Sequence, residues 1–254
     1  MRKILKALIP KKARLIFWRY LVSKDFEKEQ FILDILFKYN KNLQLKAFID
    51  IGANVGSWTD YAINKFENIY LFECNHDLSN YLNRKYKSKN KVKIFKEALS
   101  DRKGVSEFFI PIQNGNIQEA RASTIKPQNE SFIQQEISLN VLDDYKIENV
   151  ECIKIDVEGA ELAVLMGGIK TIKKHFPLMV IEIEERHNKN TSTQVYNFLS
   201  KLGYLCFAII ENKILIIENA KFELIQKKRS ANNFIFVHQN NRGVSENLSK
   251  ITLW

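Results

Sequence analysis

A glycine-containing turn after an apolar run is the strongest chemical signal in this sequence. Residues 48–56 read Phe-Ile-Asp-Ile-Gly-Ala-Asn-Val-Gly, so Asp50 ends a strand-like run and Gly52 and Gly56 mark the turn that follows. Glycines in such a turn permit positive φ angles and let a ligand approach the backbone closely. Ser57, next in the chain, is typical of a helix cap. This strand, turn and helix predict a site in which exposed backbone N–H groups hold a nucleotide-like cofactor.

The spacing and charge of the turn indicate which cofactor it suits. Its Gly-x-x-x-Gly spacing lacks the third glycine of the dinucleotide-binding pattern. A carboxylate at Asp50 would repel a phosphate, whereas it would attract the ammonium group of a methionine moiety. We therefore predict that the cofactor is S-adenosylmethionine and that Asp50, Gly52, Ala53, Asn54 and Gly56 bind it.

Acidic residues also follow the next two apolar runs. Glu73 ends the run Tyr-Leu-Phe-Glu, where a carboxylate can accept hydrogen bonds from the two ribose hydroxyls of a nucleoside. The third run is followed by Glu97 and Ala98. We predict that the Glu97 side chain or the Ala98 backbone reads the adenine edge.

The fourth apolar run ends in the acids predicted to act on the acceptor. Methyl transfer is a displacement at a sulfonium, so the protein mainly supplies alignment, and a base or a metal helps a hydroxyl to react. Asp156 and Glu158 follow this run, and we predict that both are catalytic and that Asp156 also contacts the cofactor. Strand alternation places Lys154 and Asp156 on one face. The alternative interpretation is that Glu158 or Glu161 only caps the following helix.

The fifth apolar run ends in Glu182, Glu184 and His187. Glu184 and His187 are further catalytic candidates, with His187 as a general base. Because the fourth and fifth strands would flank one cleft, a second interpretation is a Mg²⁺ or Mn²⁺ site formed by Asp156, Glu182 and Glu184. In the alternative interpretation, His187 is an ordinary loop residue.

The elements that must position these residues alternate between strand and helix, which predicts an α/β fold with a mostly parallel sheet and helices on both faces. The later runs 204–209, 213–217 and 233–238 have only short links, which predicts antiparallel pairing at the sheet edge. The polar segment 111–131 is predicted to be a mobile loop. Predicted strands cover residues 46–50, 69–73, 92–95, 151–156 and 178–183, and predicted helices cover 57–66, 77–87, 160–175 and 192–202.

Charge is concentrated at the start of the chain. Residues 1–24 contain eight Lys or Arg and no acid, against a net charge of +10 for the 254 residues. We predict two units: a basic amphipathic helical extension (1–40), whose residues 1–24 contact an anionic membrane or pack on the domain, and a catalytic domain (41–254). Three dispersed cysteines and the lack of a secretory signal favour a cytoplasmic protein, with peripheral contact at the inner face of the membrane.

Several segments together resemble the FkbM family of methyltransferases. They are FIDIGANVG (48–56), LFECN (71–75), ALSDRKG (98–104), LNVLDDY (139–145), IKIDVEGAELAVLMGG (153–168), VIEIEERH (180–187) and NNFIFV (232–237). The resemblance implies a Rossmann-like class I methyltransferase fold with seven strands, one of them antiparallel. It also implies O-methylation, often of sugars in surface glycans such as capsule or lipopolysaccharide, so the expected acceptor is a sugar hydroxyl on a nucleotide-activated or lipid-linked glycan.

The same residues bear on three alternative functions. A small secondary metabolite is the main alternative acceptor. A nucleic-acid methyltransferase is disfavoured because the acids after the fourth run would repel a phosphate-rich substrate, so no nucleic-acid partner is expected. A non-catalytic module is disfavoured by the intact glycine turn and the acids at Asp50 and Glu73. The sequence does not indicate an oligomeric state.

Overall fold

The computed structural model describes residues 45–113, 115–118, 121–127, 131–183, 191–210, 213–218 and 231–241. The predicted extension (1–40) and its membrane contact therefore lie outside the described residues. The catalytic candidates Glu184 and His187 do so as well.

The described residues contain twelve strands. They are β1 (Leu45–Ile51), β2 (Phe66–Phe72), β3 (Val92–Phe95), β4 (Ala98–Leu99), β5 (Gly104–Gln113), β6 (Asn116–Ile117), β7 (Ser131–Asn140), β8 (Val150–Ile155), β9 (Leu178–Glu182), β10 (Tyr204–Ile210), β11 (Lys213–Ile217) and β12 (Asn233–His238). Eight of these correspond to predicted apolar runs: β1, β2, β3, β8, β9, β10, β11 and β12.

The described helices follow the strands in alternation. They are α1 (Ser57–Ala62), α2 (His76–Lys85), α3 (Glu161–Gly167), α4 (Ile169–His175) and α5 (Thr191–Lys201), with a 3-10 helix at Leu142–Tyr145. No helix in this part of the chain is both long and apolar enough to cross a membrane.

The main sheet confirms the predicted α/β architecture. Its order is β11-β10-β12-β9-β8-β1-β2-β3, and β3, β2, β1, β8 and β9 are mutually parallel. The strand β12 pairs antiparallel with both β9 and β10, and β11 pairs antiparallel with β10. The sheet thus has eight strands where the resemblance implied seven, because β11 adds an outer strand. β12 lies inside the sheet and not at its edge.

Apolar side chains pack on both faces of this sheet. One core cluster joins Ile49 and Ile51 of β1 to residues of α3, α4 and α5. The other joins Phe48 to residues of α1 and α2. Helices therefore cover both faces, as predicted, and β1 is buried between them.

One predicted helix is two helices in the structure. The prediction spanned residues 160–175, but the helical geometry is interrupted at Gly168, between α3 and α4. The Asp143 carboxylate accepts hydrogen bonds from the N–H groups of Lys170 and Thr171 at 2.9 and 2.8 Å. A side chain distant in sequence thus caps α4, which the local pattern did not indicate.

A second sheet lies between β3 and β8 in the chain. Its order is β4-β7-β5-β6, and β5 and β7 form an antiparallel pair across residues 104–112 and 131–139. This sheet was not predicted, because β7 carries polar residues at several consecutive positions. The predicted loop 111–131 is partly wrong: its first residues belong to β5, residues 116–117 form β6, and Ser123 bridges to Phe109.

Candidate active site

Three acidic side chains meet where neighbouring parallel strands end. Asp50 lies near the end of β1, Glu73 follows β2, and Asp156 follows β8. Because β1 lies between β2 and β8 in the sheet, these carboxylates lie near one another at its carboxyl edge. In an open parallel sheet this edge is where a ligand-binding crevice is expected. The sequence prediction that these three residues share a site is consistent with this arrangement.

The glycine turn is packed against the protein on both sides. Gly52 has a φ of +73°, and a Cβ atom there would lie 1.7 Å from the carbonyl oxygen of Asp156. The N–H groups of Gly52 and Ala53 both donate to the Phe72 carbonyl, and Gly56 donates to the Ala53 carbonyl. Gly52 is therefore required for the close approach of the turn to the segment after β8.

These hydrogen bonds change one prediction about the turn. The N–H groups of Gly52, Ala53 and Gly56 are occupied by protein acceptors, so they are not the exposed donors that the sequence suggested. The helix cap also differs, because α1 has Gly56 at its N-cap, with no side-chain hydrogen bond, and Ser57 is the first helical residue.

Glu73 links the turn to the start of α2. One carboxylate oxygen accepts the Asn54 N–H at 2.7 Å, and the other accepts the Asn75 N–H at 2.8 Å. Burial raises the pKa of Glu73 to about 7, although both hydrogen bonds favour the charged form. Asn54 itself has a positive φ of 51°. The acid predicted to bind ribose thus also fixes the conformation of the turn.

The far end of the turn is held from α2. The Tyr86 hydroxyl lies 2.8 Å from the Gly56 carbonyl oxygen and 2.9 Å from a carboxylate oxygen of Asp60. The Lys85 ammonium donates to the Val55 carbonyl and to Asp60, each at 2.7 Å. These contacts were not predicted, because they join residues about 30 positions apart.

Asp50 is buried beneath the turn. Its carboxylate is 1% exposed and accepts a hydrogen bond from the Thr59 hydroxyl at 2.7 Å. Its other oxygen has no hydrogen-bond partner among the described residues. Burial raises the pKa of Asp50, while the neighbouring Lys154 ammonium opposes that effect. Direct contact between Asp50 and a cofactor stays a prediction.

Lys154 is the buried cation of the site. It lies opposite Asp50 in the pairing of β1 with β8, and its ammonium contacts Asp156 at 2.7 Å. Its side chain is 4% exposed, whereas that of Asp156 is 28% exposed. Burial lowers the pKa of Lys154, but the surrounding carboxylates of Asp156, Asp50 and Glu182 raise it above its ordinary value. The lysine is therefore a fixed positive charge between acids.

Glu97 lies at the end of β3, beside the predicted adenine position. Its carboxylate accepts a hydrogen bond from the Asn140 amide at 2.8 Å and another from the Tyr145 hydroxyl. The Tyr145 ring packs edge-on against Phe72 and Phe95. Ala98 begins β4, half-buried. Both predicted residues lie at this edge of the sheet, and their contact with adenine stays a prediction.

The two other acids after β8 have structural contacts. Glu161 is buried, and one of its oxygens accepts the Gly159 N–H at 2.8 Å. Gly159 precedes α3, and the N-cap residue Ala160 makes no side-chain cap hydrogen bond, so the helix-capping interpretation stays a prediction. Glu158 has a positive φ of 53°, and its carbonyl oxygen accepts a hydrogen bond from the Ser123 hydroxyl at 2.8 Å. Ser123 thereby ties the second sheet to the segment that follows β8.

The predicted metal site is not assembled in the described part of the chain. Glu182 ends β9, and its charge acts on Lys154, but Glu184 lies outside the described residues. Among the described residues, no group of three or more His, Cys, Asp or Glu side chains could hold a metal ion. The roles of Glu184 and His187 stay predictions.

A cavity of about 260 Å³ lies between α3 and α5. It is lined by Ala160, Ala163 and Met166 of the α3 segment and by Thr191 and Gln194 of α5, among others. None of the predicted site residues lines this cavity.

Sequence reasoning missed several residues that support the site. Lys154 was placed on the correct face but given no role, and Thr59, Tyr86, Tyr145 and Ser123 were not considered. A buried lysine within an apolar run is a detectable signal, because such a charge must be paired. The other contacts depend on tertiary structure alone.

Comparison with known proteins agrees with the resemblance stated above. A family model, the methyltransferase FkbM domain, matches residues 50–206. No curated protein sequence matches the chain. The structure is similar to that of a methyltransferase FkbM from Methylobacillus flagellatus KT, with a TM-score of 0.51 and 17% identity over 78% of this chain and 45% of that one. The chain thus spans less than half of that protein.

A more distant likeness is to magnesium protoporphyrin IX methyltransferase from Synechocystis PCC 6803, solved with S-adenosylmethionine. The TM-score is 0.45, with 10% identity over 85% of this chain and 80% of that one. The family model spans the glycine turn, Glu73 and Asp156. The chain therefore belongs to the FkbM family of methyltransferases.

Proposed function

We propose that this protein is an S-adenosylmethionine-dependent O-methyltransferase whose acceptor is a sugar hydroxyl. The observation that carries the proposal is the convergence of Asp50, Glu73 and Asp156 at the ends of three adjacent parallel strands. Two of these acids suit a cofactor with an ammonium group and ribose hydroxyls, and the third suits a reacting hydroxyl.

The residues of the crevice fit this cofactor chemically. An ionised carboxylate has about four acceptor positions, and Glu73 uses two of them for backbone N–H groups. Acceptor capacity is thus left for ribose hydroxyls. Asp50 keeps one oxygen without a hydrogen-bond partner among the described residues, which suits a nearby ammonium charge. When bound, the cofactor supplies a methyl group already activated by its sulfonium.

Asp156 is the proposed base for the acceptor. Its Oδ2 atom is held by the Lys154 ammonium at 2.7 Å, which leaves Oδ1 to accept the proton of the hydroxyl as that oxygen forms its bond to the methyl carbon. Lys154 orients the carboxylate and balances its charge. A fixed base of this kind contributes by geometry, since the carboxylate need not reorganise during the reaction.

The charge around β8 favours a neutral acceptor. Asp156 and Glu158 lie in the segment between β8 and α3, and their charges would repel a polyanion. A sugar hydroxyl presents no charge to these acids. In a nucleotide-activated or lipid-linked glycan, the phosphate would have to lie away from this segment. A small neutral metabolite fits the same acids and is the second candidate.

Mass spectrometry of acceptors tests this proposal directly. The full chain is incubated with the cofactor and with panels of sugars, nucleotide sugars, lipid-linked sugars and small hydroxylated metabolites. The expected result is the mass gain of one methyl group on a sugar oxygen, lost in Asp156→Asn. Methylation of a nitrogen or carbon atom, or of non-sugar metabolites only, would contradict the proposal. A parallel reaction with chelator tests whether a metal ion takes part. Full activity after thorough metal removal would exclude the metal interpretation.

A further inference from the structure

A second concentration of positive charge lies within the sequence of the catalytic domain. Between residues 84 and 96 there are seven Lys or Arg and no Asp or Glu. Residues 1–24 carry +8 and this segment carries +7, whereas the whole chain carries +10, so the rest of the chain is acidic at −5. The seven cations are Arg84, Lys85, Lys87, Lys89, Lys91, Lys93 and Lys96.

These cations lie at one end of the main sheet. They begin in the last turn of α2, continue through the link to β3, and end just after β3. Within the described sheets, β3 is the end strand of the main sheet and pairs there with β2 alone. We call residues 84–96 the basic edge. These consecutive elements form one border of the sheet, so the seven charges lie along that border.

Three of the cations are tied to their own domain. Lys85 is bound to Asp60 and to the Val55 carbonyl, the Lys91 ammonium donates to the Phe66 carbonyl at 3.0 Å, and Lys93 lies over the Tyr70 ring at 5.2 Å. These contacts hold the border of the sheet in place without neutralising most of its charge.

The other four cations are exposed. Their side chains belong to Arg84, Lys87, Lys89 and Lys96. In the described part of the chain, no acid forms an ion pair with any of them. A charge that is neither paired nor buried is available to an external partner, and a row of such charges favours an extended anionic surface.

We propose that the basic edge docks this protein on a membrane surface rich in anionic phospholipid. A cluster of four to eight Lys or Arg is the size that such surfaces attract, and each cation near the surface strengthens binding about fivefold. No exposed large apolar side chain lies between residues 84 and 96. The contact is therefore electrostatic, lies at the headgroups and weakens with salt.

A nucleic acid fits this surface less well. Single-stranded nucleic acids are bound by stacking on exposed aromatic rings, and none of the exposed large apolar side chains in the described residues is aromatic. The basic edge is also separated by two strands, β2 and β1, from β8 and the acids that follow it. A polyanion bound along β3 would therefore lie two strands away from Asp156, the proposed base.

Vesicle binding by the full chain tests the proposal. The variant R84Q/K87Q/K89Q removes three exposed cations that make no ion pair within the described residues. In sedimentation with vesicles of equal parts phosphatidylglycerol and phosphatidylcholine, its affinity should fall at least tenfold at low salt. The wild-type protein should lose affinity as salt is raised and should not bind vesicles of phosphatidylcholine alone.

A matched variant distinguishes the effect of charge at the basic edge from the effect of the protein's net charge. K170Q/K173Q/K201Q removes the same charge from exposed positions on α4 and α5, and it should bind vesicles within about twofold of wild type, since membrane attraction acts only near the contacting surface. Thermal unfolding of both variants checks that each is folded.

Three results would overturn the proposal. The first is wild-type binding by R84Q/K87Q/K89Q, which would leave residues 1–24 as the whole membrane contact. The second is an equal loss in both variants, which would make net charge the cause. The third is binding to a single-stranded RNA oligonucleotide, lost in the first variant, with no binding to anionic vesicles, which would assign the basic edge to nucleic acid.

Discussion

The ammonium nitrogen of Lys154 lies 2.7 Å from a carboxylate oxygen of Asp156, two residues further along the chain. Strand alternation brings the two side chains to one face at the end of β8. The lysine is almost wholly buried, and Asp50 lies beside it across the pairing with β1. The acid proposed as the base is therefore connected through one lysine to the acid beneath the glycine turn.

Removing the charge of Lys154 should impair both folding and turnover. Lys154→Met leaves the carboxylates of Asp50 and Asp156 uncompensated, and breaking a buried ion pair in this way costs about 3 kcal/mol or more. We expect urea unfolding to report that loss and kcat to fall more than cofactor affinity. Lys154→Arg should restore part of kcat and shift the pH profile back toward wild type. Wild-type kcat in Lys154→Met would contradict the proposal that Lys154 orients the Asp156 carboxylate.

The pH dependence of cofactor affinity should follow Glu73. Its pKa is raised to about 7 by burial, so below that pH the protonated side chain accepts hydrogen bonds from Asn54 and Asn75 poorly. Calorimetry should therefore show affinity rising between about pH 6 and pH 8. In Glu73→Gln the affinity should be lower at high pH and nearly independent of pH. A wild-type slope in Glu73→Gln would assign the titration to another group.

Because of its raised pKa, Glu73 should make the free energy of unfolding larger in acid than at neutral pH. Because its folded pKa is raised from 4.5 to about 7, its contribution to the free energy of unfolding is fully present below pH 4.5 and is lost as pH rises through 7. The loss amounts to at most about 3 kcal/mol. The wild-type minus Glu73→Gln difference in unfolding free energy should fall across this window.

Gly52 should tolerate no side chain. A Cβ atom there would meet the Asp156 carbonyl oxygen at 1.7 Å, and φ is +73°. Gly52→Ala should cost about 3–5 kcal/mol, from backbone strain plus overpacking, and should abolish cofactor binding. Gly115 is the matched control, since its φ is +71° and no atom of the described residues lies within 4 Å of a Cβ built there. Gly115→Ala should cost only about 1–2 kcal/mol. Equal losses in urea unfolding would contradict the close-packing explanation.

Much of the main sheet could be predicted because its strands are buried on both faces. Runs such as 46–50 and 151–156 are apolar for that reason, and β1 and β8 lie within one residue of the predicted bounds at their carboxyl ends. The second sheet could not be predicted in this way, since β7 is largely exposed and its polar residues hide its alternation. Its existence depends on pairing with β5, which local patterns do not encode.

The candidate site likewise combines features that the sequence predicts with contacts that depend on tertiary structure. The acids at the strand ends were identifiable, because a carboxylate after a buried strand is a distinctive local feature. Their partners were not: Glu73 binds the Asn54 N–H, and Glu97 binds Tyr145, across 19 and 48 residues. Such contacts follow from the order of strands in the sheet. Sequence reasoning therefore identified the acids at the strand ends but assigned only ligand-binding roles to residues that also hold the turn and the strand ends together.

Ser123 should influence the acceptor more than the cofactor. Its hydroxyl donates to the Glu158 carbonyl at 2.8 Å and ties the second sheet to the turn after β8. Ser123→Ala should raise KM for the acceptor several-fold, by the loss of a hydrogen bond of about 1 kcal/mol, with cofactor affinity unchanged. Ser106→Ala is the control, because this serine lies in the same sheet and its hydroxyl donates to the neighbouring Glu107 carbonyl. Equal KM values in both variants would refute this role.

The most direct test of the proposed cofactor site is a calorimetric titration of S-adenosylmethionine into the wild-type protein, Asp50→Ala and Glu73→Ala. Glu136→Ala, which changes an exposed acid in β7, is the matched control. We predict saturable binding by the wild-type protein and the control, and at least a tenfold loss of affinity in each of the other two variants. Wild-type affinity in both Asp50→Ala and Glu73→Ala, in correctly folded protein, would contradict the assignment of the crevice to this cofactor.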